Sequence, residues 1–240
     1  MVPIMKKNNF LDGLKNGIPI GLGYFSVSFT FGIMAILSGL NWWQATIISM
    51  ITLTSAGQVA GVNVMRMPGM YIDMLVSQLT INMRYAFMSI ALSQKLNDKF
   101  KGIFKVLLGF FITDEIFAVA INKEEISRSF FFGLSVAPYF GWALGTLLGS
   151  VLGNILPSII MSALSVAIYG MFIAAIVPNC KKDLKTLIVV MIAITLGVSF
   201  YYFPILKEIS SGIAISVCAV LGAILGAIFF PRKEENINGA

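Results

Sequence analysis

Apolar residues run through this chain in eight long blocks separated by short polar or charged stretches. The blocks cover approximately residues 14–39, 43–64, 69–92, 104–121, 130–153, 157–178, 185–203 and 209–230. At about 1.5 Å per residue, a hydrocarbon core of about 30 Å takes roughly twenty residues, so each block suits a transmembrane helix, straight or broken. The connecting stretches are short, which predicts a single all-α domain over 1–240, a polytopic helical bundle in a membrane. Trp42 and Trp43 stand at a block boundary, as interfacial aromatics do. Tyr201 and Tyr202 hold the same place before Pro204.

Composition sharpens this pattern. The 240 residues are 58% hydrophobic and 12% charged, too apolar for a soluble domain of this length. The net charge of +6 comes from basic residues gathered between the apolar blocks. That arrangement points to loops meeting anionic lipid rather than to a nucleic-acid surface. There is no histidine, which excludes histidine-based metal sites and histidine general bases. Cys180 and Cys218 are isolated from each other and suggest neither a disulfide framework nor a metal site. No cofactor is expected. Met1–Asn16 lacks a long apolar run with a small-residue cleavage site, so no removed signal peptide is expected.

The third block carries the most unusual stretch, Gln78-Leu-Thr-Ile-Asn-Met-Arg-Tyr-Ala-Phe-Met-Ser89. A charge at the bilayer centre costs about 2.5–3.5 kcal/mol on insertion scales. Arg84 therefore either meets a partner or a water-filled cavity, or snorkels to the interface. At 100° per residue, Asp73, Ser77, Thr80 and Arg84 share one face of a helix. Gln78, Asn82, Tyr85 and Ser89 share another, nearly opposite one. Two polar stripes predict a helix that is central in the bundle or unwound near Asn82.

Three further features carry candidate chemistry. Gly17-Ile-Pro-Ile-Gly-Leu-Gly23 either breaks the first helix, through Gly17 and Pro19, or packs it closely on another. For Gly141, Gly145, Gly149 and Gly153, at four-residue spacing, packing is the expectation. Thr52-Leu-Thr-Ser-Ala-Gly-Gln58 looks like a helix break at Gly57 with spare hydrogen-bonding groups, and the amide of Gln58 needs partners inside lipid. Thr113-Asp-Glu115 places two carboxyls in an apolar block. Asp114 and Glu115 are the natural partners for Arg84, but neighbours on a helix diverge by 100°, so only one can point at it.

A weak internal match recurs at a spacing of 113 residues: Gly32 with Gly145, Asn41 with Asn154, Ser49 with Ser162, Gly57 with Gly170. It suggests repeats over 14–121 and 130–230. The positive-inside rule allows blocks two and six either both to span or both to re-enter, and slightly favours re-entry. Re-entry puts Lys95, Lys99, Lys101 and Lys105 in the cytoplasm with both termini and gives the halves opposite orientation, an inverted-repeat plan.

The chain resembles the AzlC family, the large subunit of bacterial branched-chain amino acid exporters. Gly17-Ile-Pro19, Phe31-Gly32, the Ser49–Gln58 run, Asn82-Met-Arg84-Tyr-Ala-Phe-Met-Ser89, Thr113-Asp-Glu115 and the glycines from Trp142 to Gly153 carry the likeness. They occur in the family's order and cover nearly the whole chain. The specific part is Asn-x-Arg with its trailing Met-Ser, followed by Thr-Asp-Glu. Two departures stand out. Ser55-Ala-Gly-Gln58 differs from the family's usual approach to that glutamine, and no acidic residue lies near Ser165. The resemblance implies export of branched-chain and related apolar amino acids, methionine included, across the bacterial inner membrane with a small AzlD-type membrane partner.

A zwitterionic substrate needs donors for its carboxylate, which Gln58, Gln78, Asn82 or Arg84 can supply, and an acceptor for its ammonium, which Asp114 or Glu115 can supply. The chain has no Walker-type glycine loop and none of the serine-hydrolase, zincin or intramembrane aspartyl-protease motifs, so an enzyme is not expected. The other readings are a channel, a non-transporting membrane scaffold subunit or, further off, an intramembrane enzyme.

Overall fold

The computed structural model describes residues 8–67, 69–153, 155–157, 159, 170, 173, 176–178 and 180–230. Among them are ten named helices and no β-strand beyond one bridge between Leu96 and Ile126. Four helices are long and apolar enough to cross a membrane: Phe10–Leu37, Arg128–Leu152, Leu184–Tyr202 and Gly212–Phe229. A helical membrane bundle follows.

Two of these form the spine. Helix α1 (Phe10–Leu37) lies along α7 (Arg128–Leu152), and successive contacts advance in the same chain direction along both. Gly13 meets Phe130, Gly17 meets Leu134, Gly21 meets Ala137 and Gly32 meets Thr146. From the other side, Gly141, Gly145 and Gly149 meet Gly21, Phe25 and Phe29. A Cβ at any of these glycines would stand 2.5 Å or less from an atom of the other helix. The four-residue spacing makes a smooth ridge, and the backbones close onto each other along most of their length. The helices therefore run parallel. We call the end where both begin the proximal face and the other the distal face.

This seam corrects two expectations. Gly17 and Pro19 do not break the first helix: α1 is continuous with Pro19 inside it, and Gly17 is a packing glycine. The glycines of α7 pack as expected. The match at 113 residues does not mark an inverted pair here, because Gly32 and Gly145 lie on one seam between parallel helices. Asn154 and Ser162, and almost all of block 157–178, lie outside the described residues.

The second apolar block is a re-entrant hairpin. Helix α2 (Trp42–Ile51) descends from the distal face against α7, since Ser49 meets Thr146 and Tyr139 meets Met50. Residues Thr52–Thr54 are non-helical, and Thr52 and Thr54 are extended. Helix α3 (Ser55–Met65) then climbs back, and Val59 and Val62 join Phe31, Met34 and Ala45 in one cluster near the distal end of α1. The Thr54 hydroxyl accepts from the Gly57 N–H at 3.3 Å and restarts the helix, so the break precedes Gly57.

Helix α4 (Tyr71–Ser93) crosses from the distal to the proximal face without unwinding at Asn82. It is not central either: Ile72, Leu75, Leu79, Met83, Phe87 and Ile90 form an exposed apolar stripe. Both polar stripes are turned to neighbouring elements instead.

The fourth block differs from a straight span. Helix α5 (Ile103–Phe111) rises from the proximal face beside α7, with Phe104 against Phe132 and Phe111 against Tyr139. The chain is extended at Ile112 and Thr113. Helix α6 (Asp114–Ala120) returns along α1, from Glu115 beside Tyr24 to Lys123 beside Asp12. Thr113 accepts from the Ile116 N–H at 3.4 Å, as Thr54 does in the first hairpin. The hairpins enter from opposite faces and both end beside Tyr139 near the middle of α7, so the opposite orientation lies inside residues 10–120 rather than between two halves of the chain.

The remaining helices are α8 (Leu184–Tyr202), the short α9 (Pro204–Lys207) and α10 (Ser211–Phe229). Asp183 caps α8, accepting from the Lys185 N–H at 3.1 Å and the Thr186 N–H at 3.3 Å. Helices α8 and α10 run antiparallel: Gly222 lies near Ala193 and Gly226 near Val189. The start of α10 rests on α4, where the Ser210 hydroxyl donates to the Asp73 carboxylate.

Candidate functional site

The two hairpin tips are bridged by a frame built from α1, α4 and α7. Tyr139 of α7 touches both: its hydroxyl donates to the Met50 carbonyl at 3.3 Å, and its ring packs on Phe111 with centroids 5.5 Å apart.

The first tip is neutral and closed. Gln58 is 3% exposed. Its amide nitrogen donates to Ser49 Oγ at 3.2 Å and to Thr52 Oγ1 at 3.1 Å, and its carbonyl accepts from Trp142 Nε1 at 3.0 Å. Ser49 continues the chain to Thr146 at 2.7 Å. A buried amide in lipid needs this set of partners, and here the partners tie α2 and α3 to α7. The donors of Gln58 are thus engaged in holding the hairpin.

Gln78 and Asn82 lie one turn apart on the inner face of α4. Gln78 Nε2 donates to the Gly57 carbonyl at 2.8 Å, and Asn82 Nδ2 donates to Gln78 Oε1 at 3.1 Å. The other end of the Asn82 amide, Oδ1, is buried without a partner in the structure. Such an orphaned acceptor is uncommon in a folded interior and marks a position suited to an incoming donor.

The second tip is charged and open. Arg84 Nη2 pairs with Asp114 Oδ2 at 2.9 Å and contacts the Tyr85 hydroxyl at 3.4 Å. The two charged side chains are 52% and 45% exposed, so the pair is not sealed. Glu115, the next residue, points elsewhere and accepts from the Tyr24 hydroxyl. The two acids of Thr113-Asp-Glu115 thus divide between two partners, as helical geometry requires. Tyr24 in turn packs edge-on against Trp142 with centroids 5.4 Å apart. A continuous path of contacts therefore joins Glu115, Tyr24, Trp142 and Gln58, and with it the two hairpins.

The sequence candidates fall into two groups. Gln58, Gln78 and Asn82 gather at the first hairpin, with Gly57 supplying a carbonyl to Gln78. Arg84, Asp114 and Glu115 gather at the second. Gly17 and Pro19 belong to the α1–α7 spine. Asp73 stands apart from both groups, against Ser210. Sequence reasoning missed Tyr24, Tyr139 and the hydroxyl pair Ser49–Thr146. Aromatic and hydroxyl residues in apolar blocks carry no signal that separates bridging from ordinary packing. Among the described residues no cluster of acidic or thiol side chains could hold a metal ion.

A family model described as "AzlC protein" matches residues 19–156, the stretch that holds most of α1, both hairpins, α4 and α7. An uncharacterized membrane protein of Archaeoglobus fulgidus is 32% identical over 187 residues, 75% of this chain and 80% of that protein. The inner membrane protein YgaZ of Escherichia coli is 22% identical over 238 residues, 94% of each chain. An uncharacterized membrane protein of Helicobacter pylori is 26% identical over 144 residues, 58% of this chain and 61% of that protein. No solved structure matches. Relatives named as membrane proteins, together with the apolar helices, place the chain in a membrane.

Proposed function

The chain belongs to the AzlC family, and from that premise we propose that it is a transporter that exports branched-chain and related apolar amino acids, methionine among them. It works with a small AzlD-type membrane partner, and the chain itself is not an enzyme. The observation that carries this reading is the half-exposed Arg84–Asp114 pair at the tip of a re-entrant hairpin. Charges at mid-depth are costly and are kept where they meet a partner or a water-filled path. Irregular backbone at that depth persists only within protein or along such a path, and the tips at Thr52–Thr54 and Ile112–Thr113 supply it twice.

The pair suits a zwitterion. Arg84 offers a guanidinium fork to the substrate carboxylate, and Asp114 or Glu115 accepts the ammonium. Alternating access then exposes the site by parting one hairpin tip or the other from its frame.

Lys95, Lys99, Lys101 and Lys105 lie between α4 and α6 at the proximal face, whereas Arg66 ends α3 at the distal one. The positive-inside rule then makes the proximal face, with both termini, cytoplasmic in a bacterial inner membrane. A membrane-impermeant thiol reagent should label Lys101→Cys only from the cytoplasmic side and Arg66→Cys only from the other, after Cys180 and Cys218 are replaced by serine.

The functional test is efflux of preloaded leucine, valine and methionine from cells expressing the chain with and without a small membrane partner. Arg84→Ala should abolish efflux while the protein stays in the membrane, and Arg84→Lys should fail as well. Normal efflux by Arg84→Ala would reject the role.

A further inference from the structure

A cavity of about 160 Å³ lies between the first hairpin and α4, lined by the apolar Ile48, Met65 and Met74, by Gly61, and by polar groups that include Gln58 and Gln78. We infer that this cavity receives the apolar side chain of the transported amino acid and sets which side chains pass. The inference rests on the transport reading above and adds the place and the size limit of recognition.

Three observations converge on it. The first is volume. A cavity of about 150 Å³ in a protein core holds a six-carbon ring, so 160 Å³ takes a branched aliphatic or thioether side chain readily and is filled by a phenyl ring. The second is the lining. Two methionines and an isoleucine present flexible apolar surface, which adapts to several side chains of similar bulk and favours none strongly. The third is position. Met74, Gln78 and Asn82 follow one another at four-residue spacing on one face of α4. Beyond the cavity, this face reaches the buried and unpartnered Oδ1 of Asn82. A side chain seated between Met65 and Met74 leaves its charged head toward Asn82, where an ammonium finds the vacant acceptor. Gln78, bonded to Gly57 and to Asn82, joins the apolar and polar ends.

Gly61 makes the inference testable without disturbing the fold. A Cβ there would stand 3.4 Å from Gln78 Nε2 and 3.6 Å from Met74 Sδ, which is ordinary contact. Alanine also favours a helix interior over glycine. Gly61→Ala should therefore fold at least as well as the wild type while narrowing the cavity. Met74→Ala should widen it. The full chain, expressed with its small partner, is loaded with an equimolar mixture of alanine, leucine, methionine and phenylalanine, and the efflux ratios are measured.

Gly61→Ala should lower leucine and methionine relative to alanine, and Gly61→Val should do so by roughly tenfold or more, the lower end of what one methylene contributes to selection. Met74→Ala should raise the share of phenylalanine. Wild-type ratios from both narrowed and widened variants would overturn the role of the cavity and leave the transport reading intact. If Gly61→Ala loses all flux, Met74→Ala decides alone, and an unchanged phenylalanine share overturns the inference. A wild type that moves none of the four overturns the transport reading and this inference with it.

Discussion

The two re-entrant hairpins share a plan and differ in chemistry. Each consists of two short helices joined by an extended break, and each restarts on a threonine that caps the second helix, Thr54 or Thr113. The first tip holds neutral groups, Gln58, Ser49 and Thr52, in a closed hydrogen-bond network. The second holds Asp114 and Glu115 and faces Arg84. Neutral amides and hydroxyls can be kept dry once every group is paired, whereas ions gain from water nearby. Burial follows this rule: Gln58 and Ser49 are enclosed, and Arg84 and Asp114 are half open. One hairpin is a closed wall of the candidate site, and the other turns a charged edge to the open side.

The contrast can be broken most sharply by chemical accessibility. In a background with Cys180 and Cys218 replaced by serine, Asp114→Cys should react with a small water-soluble thiol reagent and Ser49→Cys should not. Equal labelling of both would erase the distinction. Next in size is the effect on transport. Arg84→Ala removes the guanidinium proposed to hold the substrate carboxylate, a charge-assisted contact worth about 1.5–3 kcal/mol, so efflux should fall to the background of cells without the chain. The melting behaviour should barely change, because an ion pair this exposed contributes about 0–1 kcal/mol to stability.

Gln58→Leu should show the reverse. It leaves Trp142 Nε1 without its acceptor and Ser49 and Thr52 without their donor, at about 1–3 kcal/mol for each buried group left unpaired. Thermal unfolding in detergent should shift down clearly, while efflux per folded molecule holds up better than in Arg84→Ala. The smallest effect is at the caps. Thr54→Ala and Thr113→Ala should each cost about 1 kcal/mol, which a denaturant titration would resolve. Unequal losses would show that the shared cap does unequal work in the two tips.

Much of the site was legible in the sequence because its residues are expensive where they sit. Arg84, Asp114, Gln58 and Gln78 cannot lie in apolar blocks without partners, and the partners they found are those that cost demands. The break in block 43–64 was legible from the polar run at Thr52–Gln58. Charge balance favoured re-entry only slightly, tied it to block 157–178 and counted 104–121 as a straight span. Re-entry of 104–121 was not legible. Its break at Ile112–Thr113 has no glycine or proline, and two adjacent acids can be read equally well as an ion-pair partner on a straight helix. The parallel course of α1 and α7 was hidden for a related reason. Their glycines repeat alike whether the two helices face each other or merely descend from one pattern, and only the extra reversal at the second hairpin decides the direction. Gly17 and Pro19 misled because residues that weaken an isolated helix also let two helices touch backbone to backbone.

Helix α4 grips both hairpins from one side. Gln78 holds the Gly57 carbonyl of the first, and Arg84 holds Asp114 of the second. Six residues separate these grips, about 9 Å at helical rise. A stiff rod fastened to two opposed doors cannot slide without shifting its hold on both.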